Sequence, residues 1–476
     1  MSGIETLPPE RTVESVAEVA CAEAHVSSDN TVEGGHFLQR SLGPAIVGVS
    51  VIAAAGKLSG FAEKVVIAKY FGTAPEADVY FAVMGLVWSL VYFVRELLIP
   101  TLLPVFRGAM GKHSDLTRVL FRTVFMTVLA LLTGIALTVA TASRTVAGLA
   151  LPGFGLAESA ATSRLIRVVA PGAVCLGMLA VTYTCLNARK RFVASAFGDA
   201  LFKLLLVGGL LALLPRMRLD APGPVIAAAA LIAVAVHLFF LPERRSLVRK
   251  APGVSASPHL RKMLRLMAPL FLGAAFSHVS VLVDNLLASH MPRGQLSHLA
   301  YGKKLVDAAV LIGPVAVATV VYSHLTHLCS EGRMNEVRRL TGQTARLLIY
   351  IAVPMACLIA ALRLPLVRML FERGKFDAAS SAGTAAALFV YSLGLVAFAL
   401  EAFLVYCFFA MSDTKTPVFA GIVFVLIDIV LAVALLERWQ YLGIAAAFVV
   451  SKTAKVACLA FLLRRKIGGA WHASST

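Results

Sequence analysis

Apolar runs of roughly 20 residues recur from residue 43 to residue 464, and they constrain this chain more than any other feature. Lipid offers no hydrogen-bond partner to a backbone N–H or C=O, so only helices and closed barrels can span it. A spanning helix takes about 20 apolar residues, whereas a barrel strand takes about 10 residues of alternating polarity. The runs have the first length, and the alternating pattern is absent. Charged residues make up 15% of the 476 positions and hydrophobic ones 59%. A soluble protein carries about 25% charged residues. The expected fold is an all-α polytopic membrane protein.

Twelve spans are expected, at 43–70, 78–106, 117–142, 160–187, 193–214, 222–242, 263–290, 296–325, 338–362, 380–409, 415–437 and 441–464. Pro171, Pro269, Pro314 and Pro354 fall inside spans, where a kink is tolerated if neighbours satisfy the freed carbonyls. The polar linker 243–262, ERRSLVRKAPGVSASPHLRK, separates six spans from six. A faint echo between NARKRFVASAFGDALFKLLL and FAMSDTKTPVFAGIVFVLID supports the same division. Repeats with an even number of spans are parallel, related by an axis along the membrane normal. The expected architecture is about 12 transmembrane helices in two six-helix lobes, 43–242 and 263–464, around a central cavity. Residues 1–42 carry Glu5, Glu10, Glu14, Glu18 and Glu23 and no basic segment or cleavage site of a signal peptide. They are expected to be a disordered cytoplasmic tail. Residues 465–476 form a second tail.

Orientation follows from the basic loops. Arg107, Lys112 and Arg118 follow span two, and Arg189, Lys190 and Arg191 follow span four. The linker, the loop with Arg333, Arg338 and Arg339, and the tail with Arg464, Arg465 and Lys466 fall on the same side. Cytoplasmic loops are enriched in Lys and Arg, so both termini are expected in the cytoplasm. The stretch Arg363, Arg368, Arg373 and Lys375 lies on the opposite face, which calls for either a ligand or a packing partner. The net charge of +18 is explained by these clusters rather than by nucleic acid, because no soluble segment interleaves basic and aromatic residues. The seven cysteines are scattered and form no CxxC pair. No HExxH, P-loop or GxSxG motif marks an enzyme.

Charges inside spans carry the chemistry. In Ala300–Ser323, Lys303, Lys304 and Asp307 lie within the first turns of an otherwise apolar helix. One charge in mid-membrane costs about 2.5–3.5 kcal/mol even on the lenient insertion scale, so three in one span must face protein or a wet cavity. Lys57, Glu63 and Lys64 lie on span one, Asp78 opens span two, and Arg95 and Glu96 follow. Lys57 and Lys64 share a helix face. Asp284 and Asn285, Glu401, Asp428, Lys452 and Lys455 belong to the second half. Asp199 and Lys203, four apart, read as a structural ion pair; Arg95 and Glu96 read equally as cavity residues or as an interfacial pair. His324, His327 and Cys329 sit at a helix end, and no metal site is expected there. Basic side chains converging in a membrane cavity suit an anionic ligand, phosphate foremost.

The runs LVRMLFERGKFDAASSAGTAAALFVYSLGLVAFAL (366–400), FFAMSDTKTPV (408–418), GFAEKVVIAKYFGTAPEADVYFAV (60–83) and AYGKKLVDAAVLIGPVAVATVVYSHL resemble the MurJ/MviN family of the multidrug/oligosaccharidyl-lipid/polysaccharide exporter superfamily. The resemblance implies a flippase for undecaprenyl-pyrophosphate-linked sugars of the lipid II type in the bacterial inner membrane, not an enzyme. Its partners would be that lipid, membrane lipids and the cell-wall or polysaccharide synthesis machinery. It implies Lys57, Lys64, Asp78, Lys303, Lys304 and Asp307 as headgroup and diphosphate residues, with Arg95 and Glu96 as helpers. Asp78 and Asp307 would pair with the lysines when the site is empty. It implies no cofactor, with sodium at Asp284 and Asp428 or the membrane potential as the drive. The family's double arginine on helix two falls near Val91 and Tyr92, and its Glu-Gly-Ala-Phe becomes Glu96-Leu97-Leu98-Ile99. Those departures keep an exopolysaccharide or O-antigen flippase open as the alternative. A multidrug antiporter fits less well, since its cationic cargo would want an acidic cavity.

Overall fold

In the computed structural model, residues 52, 55, 56, 58–110, 114–248 and 257–473 are described. Lys57, the expected tail 1–42 and residues 249–256 of the linker lie outside them. Among the described residues the chain is helical throughout, with no strand. The first helix, α1, covers 58–71. It is followed by α2 (Pro75–Met110), α3 (Ser114–Thr141), α4 (Ser143–Ala150), α5 (Leu156–Ala188), α6 (Phe192–Met217) and α7 (Pro222–Phe240). The second half holds α8 (Ser257–Ser289), α9 (Gln295–Ile312), α10 (Pro314–Ser330), α11 (Met334–Ala361) and α12 (Arg363–Phe371). It ends with α13 (Ala378–Leu393), α14 (Leu395–Ala410), α15 (Lys415–Trp439) and α16 (Tyr441–Ala473). Among the described residues nine helices are long and apolar enough to cross a membrane, or ten if the bent pair α13–α14 is one span. The other two expected spans correspond to the described end of α1 and to α8.

Local sequence accounts for where the helices break. Span eight is interrupted where Gly313 precedes Pro314, which opens α10 at the position where a missing N–H costs nothing. Pro171 lies inside α5 without ending it. The tenth span bends by 47° at Gly394, where a Cβ would press on Phe398 and Val449. The final helix runs on to Ala473 instead of ending in a tail at 465. The linker is shorter than expected too, because helical turns occupy Pro242–Val248 and α8 starts at Ser257.

Two groups of helices result. In the first, α5 is central and packs on α2, α3 and α7, with α6 against α7. In the second, α15 packs along α16, α9 on α13, and α14 among α10, α11 and α16. The bridge between groups is α2, which crosses both α8 and α9. Tyr80, Phe106 and Phe121 anchor the first group's core, while Tyr301, Phe371 and Phe376 form an aromatic knot where the groups meet. Phe81 of α2 stacks edge-on against Tyr301 at 4.9 Å.

Candidate functional site

Helical phase sorts the expected charges into separate places. On α1, Glu63 is buried, and its Oε1 accepts from the Tyr80 hydroxyl at 2.7 Å and from Lys64 Nζ at 2.9 Å. The Lys64 ammonium also lies over the ring of Phe81, 5.0 Å from its centroid. Lys64 is therefore held by its own helix and by α2. Arg95 donates from Nη2 to Asp199 Oδ2 at 3.1 Å, and its guanidinium lies 4.5 Å from the Tyr183 ring. Asp199 was expected to pair with Lys203; α2 supplies its partner instead. Lys203 is half-buried, with Asp199, Arg95, Glu63 and Lys304 as its charged neighbours. Lys304 comes from α9 in the second half and reaches the same cluster, where its charge acts on Glu63 as well. Asp307, one turn further, is exposed. Lys203, Lys304, the Arg95–Asp199 pair and the buried Glu63 thus act on one another between α1, α2, α6 and α9.

Lys303 does not join them. Consecutive residues on a helix point about 100° apart, and Lys303 faces into the second half. There its ammonium sits 3.9 Å from the centroid of Phe448 and lines a cavity of about 120 Å³ with Asp284, Asp428, Lys452 and Lys455. Glu401 accepts from Lys452 at 2.8 Å and from Lys455 at 2.7 Å. Asp284 and Asp428, expected to form a cation site, do come together, but three ammonium groups share their pocket. Among the described residues no group of three His, Cys, Asp or Glu side chains is placed to hold a metal ion.

Asp78 also leaves the expected set. Its carboxylate accepts from the backbone N–H of Gly294 at 2.6 Å, from that of Ser297 at 2.8 Å, and from the Ser297 hydroxyl. It thereby satisfies free donors at the N-terminus of α9, where the helix dipole favours an anion. Among the described residues no lysine is its partner. Asp78 is part of a clasp between the two halves. Lys375 N–H donates to the Lys69 carbonyl at 3.0 Å, the Tyr301 hydroxyl to the Gly72 carbonyl at 3.0 Å, and Thr73 and Ser380 share a bond of 2.8 Å. Arg293 pairs with Glu158 at 2.7 Å. Gly72 and Gly374 have φ of +60° and +63°, and a Cβ on either would collide with the facing backbone. In the basic stretch after span nine, Arg368 pairs with Glu372 and Arg373 bonds the Met369 carbonyl within the stretch itself, while Lys375 joins the clasp through its backbone N–H.

Further along α2, Glu96 lies 3.6 Å from His278 of α8, and Phe93 packs edge-on against Phe271 at 5.2 Å. Arg95 and Glu96 are thus separated, the first turned to α6 and the second to α8. The sequence reads Lys203 only as the ion-pair partner of Asp199, and Tyr80 not at all. The signal for Lys203 was available in Arg95, a cation on a neighbouring span with no carboxylate one turn away on its own helix.

A family model described as Lipid II flippase MurJ matches residues 67–474. A relative named Probable lipid II flippase MurJ, from Rhizobium meliloti (strain 1021), is 28% identical over 412 residues, covering 83% of this chain and 75% of the relative. The Lipid II flippase MurJ of Burkholderia cenocepacia is 26% identical over 393 residues, covering 79% and 74%. A solved structure titled Lipid II flippase MurJ, inward closed conformation, superposes with a TM-score of 0.77 at 19% identity, covering 87% of each chain.

Proposed function

This chain belongs to the lipid II flippase MurJ family, and from that premise we propose that it moves a polyprenyl-pyrophosphate-linked precursor of the lipid II type across the bacterial inner membrane. The observation that carries the reading is the cluster shared by both halves, with Lys304 of α9 among Glu63, Lys203 and the Arg95–Asp199 pair. A diphosphate is dianionic or more and bidentate, and lysine and arginine donors from two lobes match it in charge and reach.

The lobes rock around that cluster in alternating access. In the state described here the clasp joins 69–73 to 374–380, so that end of the cleft is shut. With both termini in the cytoplasm, the clasp is the outer closure. The headgroup enters from the inner leaflet while its prenyl tail stays in lipid between the lobes. The α2–α8 contact at Phe93 and Glu96, made in the state described here, parts to admit the headgroup; re-forming it while the clasp opens presents the headgroup to the outer face. The second-half pocket, where Lys303, Lys452 and Lys455 crowd Asp284 and Asp428, favours the membrane potential over a sodium ion as the drive. That potential supplies about 2.3 kcal/mol per charge per 100 mV.

The test is charge reversal in reconstituted vesicles. Lys304→Glu should abolish lipid II movement, and Lys304→Arg should keep or raise it because the guanidinium fork suits a diphosphate. Equal rates for the two variants would remove Lys304 from the site.

A further inference from the structure

Four helices wall the pocket inside the second lobe: α8 packs on α15, α15 runs along α16, and α16 touches α9. Each contributes charge to one cavity of about 120 Å³, Asp284 from α8, Lys303 from α9, Asp428 from α15, and Lys452 and Lys455 from α16. A space of that size holds a few water molecules, so charges on its wall act on one another at short range. From α14, Glu401 bonds both Lys452 and Lys455. With every group ionised, the set carries three carboxylates and three ammonium groups, and it is balanced without any added ion.

The three lysines are held differently. Lys452 and Lys455 are engaged by Glu401, at 2.8 and 2.7 Å. Among the described residues Lys303 bonds no carboxylate; its ammonium rests over the face of Phe448, 3.9 Å from the ring centroid, on the cavity wall. A ring face attracts a cation without cancelling its charge. Lys303 is thus the one ammonium of the three whose charge Glu401 does not take up, and it shares its cavity with Asp284 and the buried Asp428.

A sodium ion, which the family likeness implies at Asp284 and Asp428, does not fit this donor set. A hard cation takes several oxygen ligands; in this pocket it would meet two carboxylates and three ammonium groups, and the like charges oppose its entry. We propose that Lys303 is the resident cation of the pocket. Its tethered ammonium supplies the countercharge to Asp284 and Asp428 that a diffusible ion would otherwise bring, and the pocket binds no sodium. This deepens the reading above of what drives transport, and it rests on that reading only for its consequence in lipid II movement.

The test is melting of the full chain in detergent, in sodium chloride against choline chloride at equal ionic strength. An ion that binds the folded state raises its melting temperature by mass action. The wild type should melt at the same temperature in both salts. Lys303→Met keeps an unbranched side chain and removes the charge, which leaves one negative charge in excess and opens a cation site. It should melt below the wild type in choline and rise by about 2 °C or more, saturably, with sodium. Lys303→Arg keeps the charge and should show no sodium response. Adding Asp428→Asn to Lys303→Met should abolish the response, tying it to this pocket. A sodium response in the wild type would overturn the inference, and that arm needs no variant to fold. No response in Lys303→Met, or one that survives Asp428→Asn, would overturn it too. Lipid II movement in vesicles separates the inference from the function it builds on: the wild type should move lipid II equally in either salt. Movement that requires sodium would overturn the resident cation and keep the flippase. No movement in either salt would overturn the flippase and leave the melting results to decide the pocket.

Discussion

The cluster between the lobes and the cluster inside the second lobe are built from the same residue types, yet their wiring differs. Inside the second lobe, Glu401 takes both Lys452 and Lys455, and Lys303 rests on the face of Phe448. Between the lobes, Glu63 lies near both Lys203 and Lys304 but bonds Lys64 and Tyr80. A paired charge in the membrane is already compensated and serves packing, whereas among the described residues Lys203, Lys304 and, inside the second lobe, Lys303 bond no carboxylate. Residue type in a span therefore does not separate structural charges from binding charges, whereas the partner list does.

The comparison breaks first at Glu401. Replacing it by Gln removes the one carboxylate that both half-buried lysines bond, and losing one partner of a buried pair costs up to about 3–5 kcal/mol. The variant should melt well below the wild type in detergent. Lys203→Gln should melt with the wild type or slightly above it, since it removes a repelling ammonium. If Glu401→Gln melts with the wild type, the second cluster is not structural and the distinction fails.

Much of this was legible in the sequence, and the rest failed for a definable reason. Helix existence and extent follow from hydropathy: α6 at Phe192–Met217 and α15 at Lys415–Trp439 lie within a few residues of the expected 193–214 and 415–437. The bend at Gly394 was not visible, because it depends on the close approach of Phe398 and Val449 and not on a proline. Lys303 and Lys304 look like one cluster on paper, but adjacency in sequence means divergence on a helix, and the two serve different clusters. Asp199 and Lys203 had ideal spacing for a pair, yet spacing gives opportunity only; Arg95 of another span offered a guanidinium. Asp78 was expected to pair with a lysine and instead takes the free N–H groups at the start of α9, which are invisible until the lobes are docked.

A second, smaller effect sharpens the comparison by separating the clasp from both clusters. Gly374 has φ +63°, and a Cβ there would stand against the Lys69 carbonyl. Gly374→Ala should cost about 1–3 kcal/mol locally through strain and lost packing. Amide exchange at Lys375 and over 69–73 should rise, with little change at Lys452 or Arg95. Unchanged exchange across the clasp would show that the two halves are held elsewhere, and the α2–α8 contact would become the first place to look.

The smallest effect concerns the staple beneath the paired cluster. Asp413 precedes α15, where its carboxylate accepts from Thr416 N–H at 3.0 Å and from Lys466 Nζ of α16 at 2.6 Å. Partial burial pushes this carboxyl up, but Lys466 and the two Thr416 bonds outweigh it, and it is held below its ordinary value of 3.8. A carboxyl depressed on folding adds stability that is complete above the unfolded value and is lost as pH falls through the folded one. Asp413→Asn keeps an acceptor for Thr416 and loses the charge. Its deficit should be largest at neutral pH and shrink towards zero as pH falls below about 3.8. Lys466 is 40% exposed, so screening limits the deficit to under ~1 kcal/mol. Melting curves of both proteins taken stepwise down in pH give the answer. A gap that stays constant into acid would mean the aspartate acts by shape alone, and the helix pair bearing Asp428, Lys452 and Lys455 would then owe nothing to charge at its end.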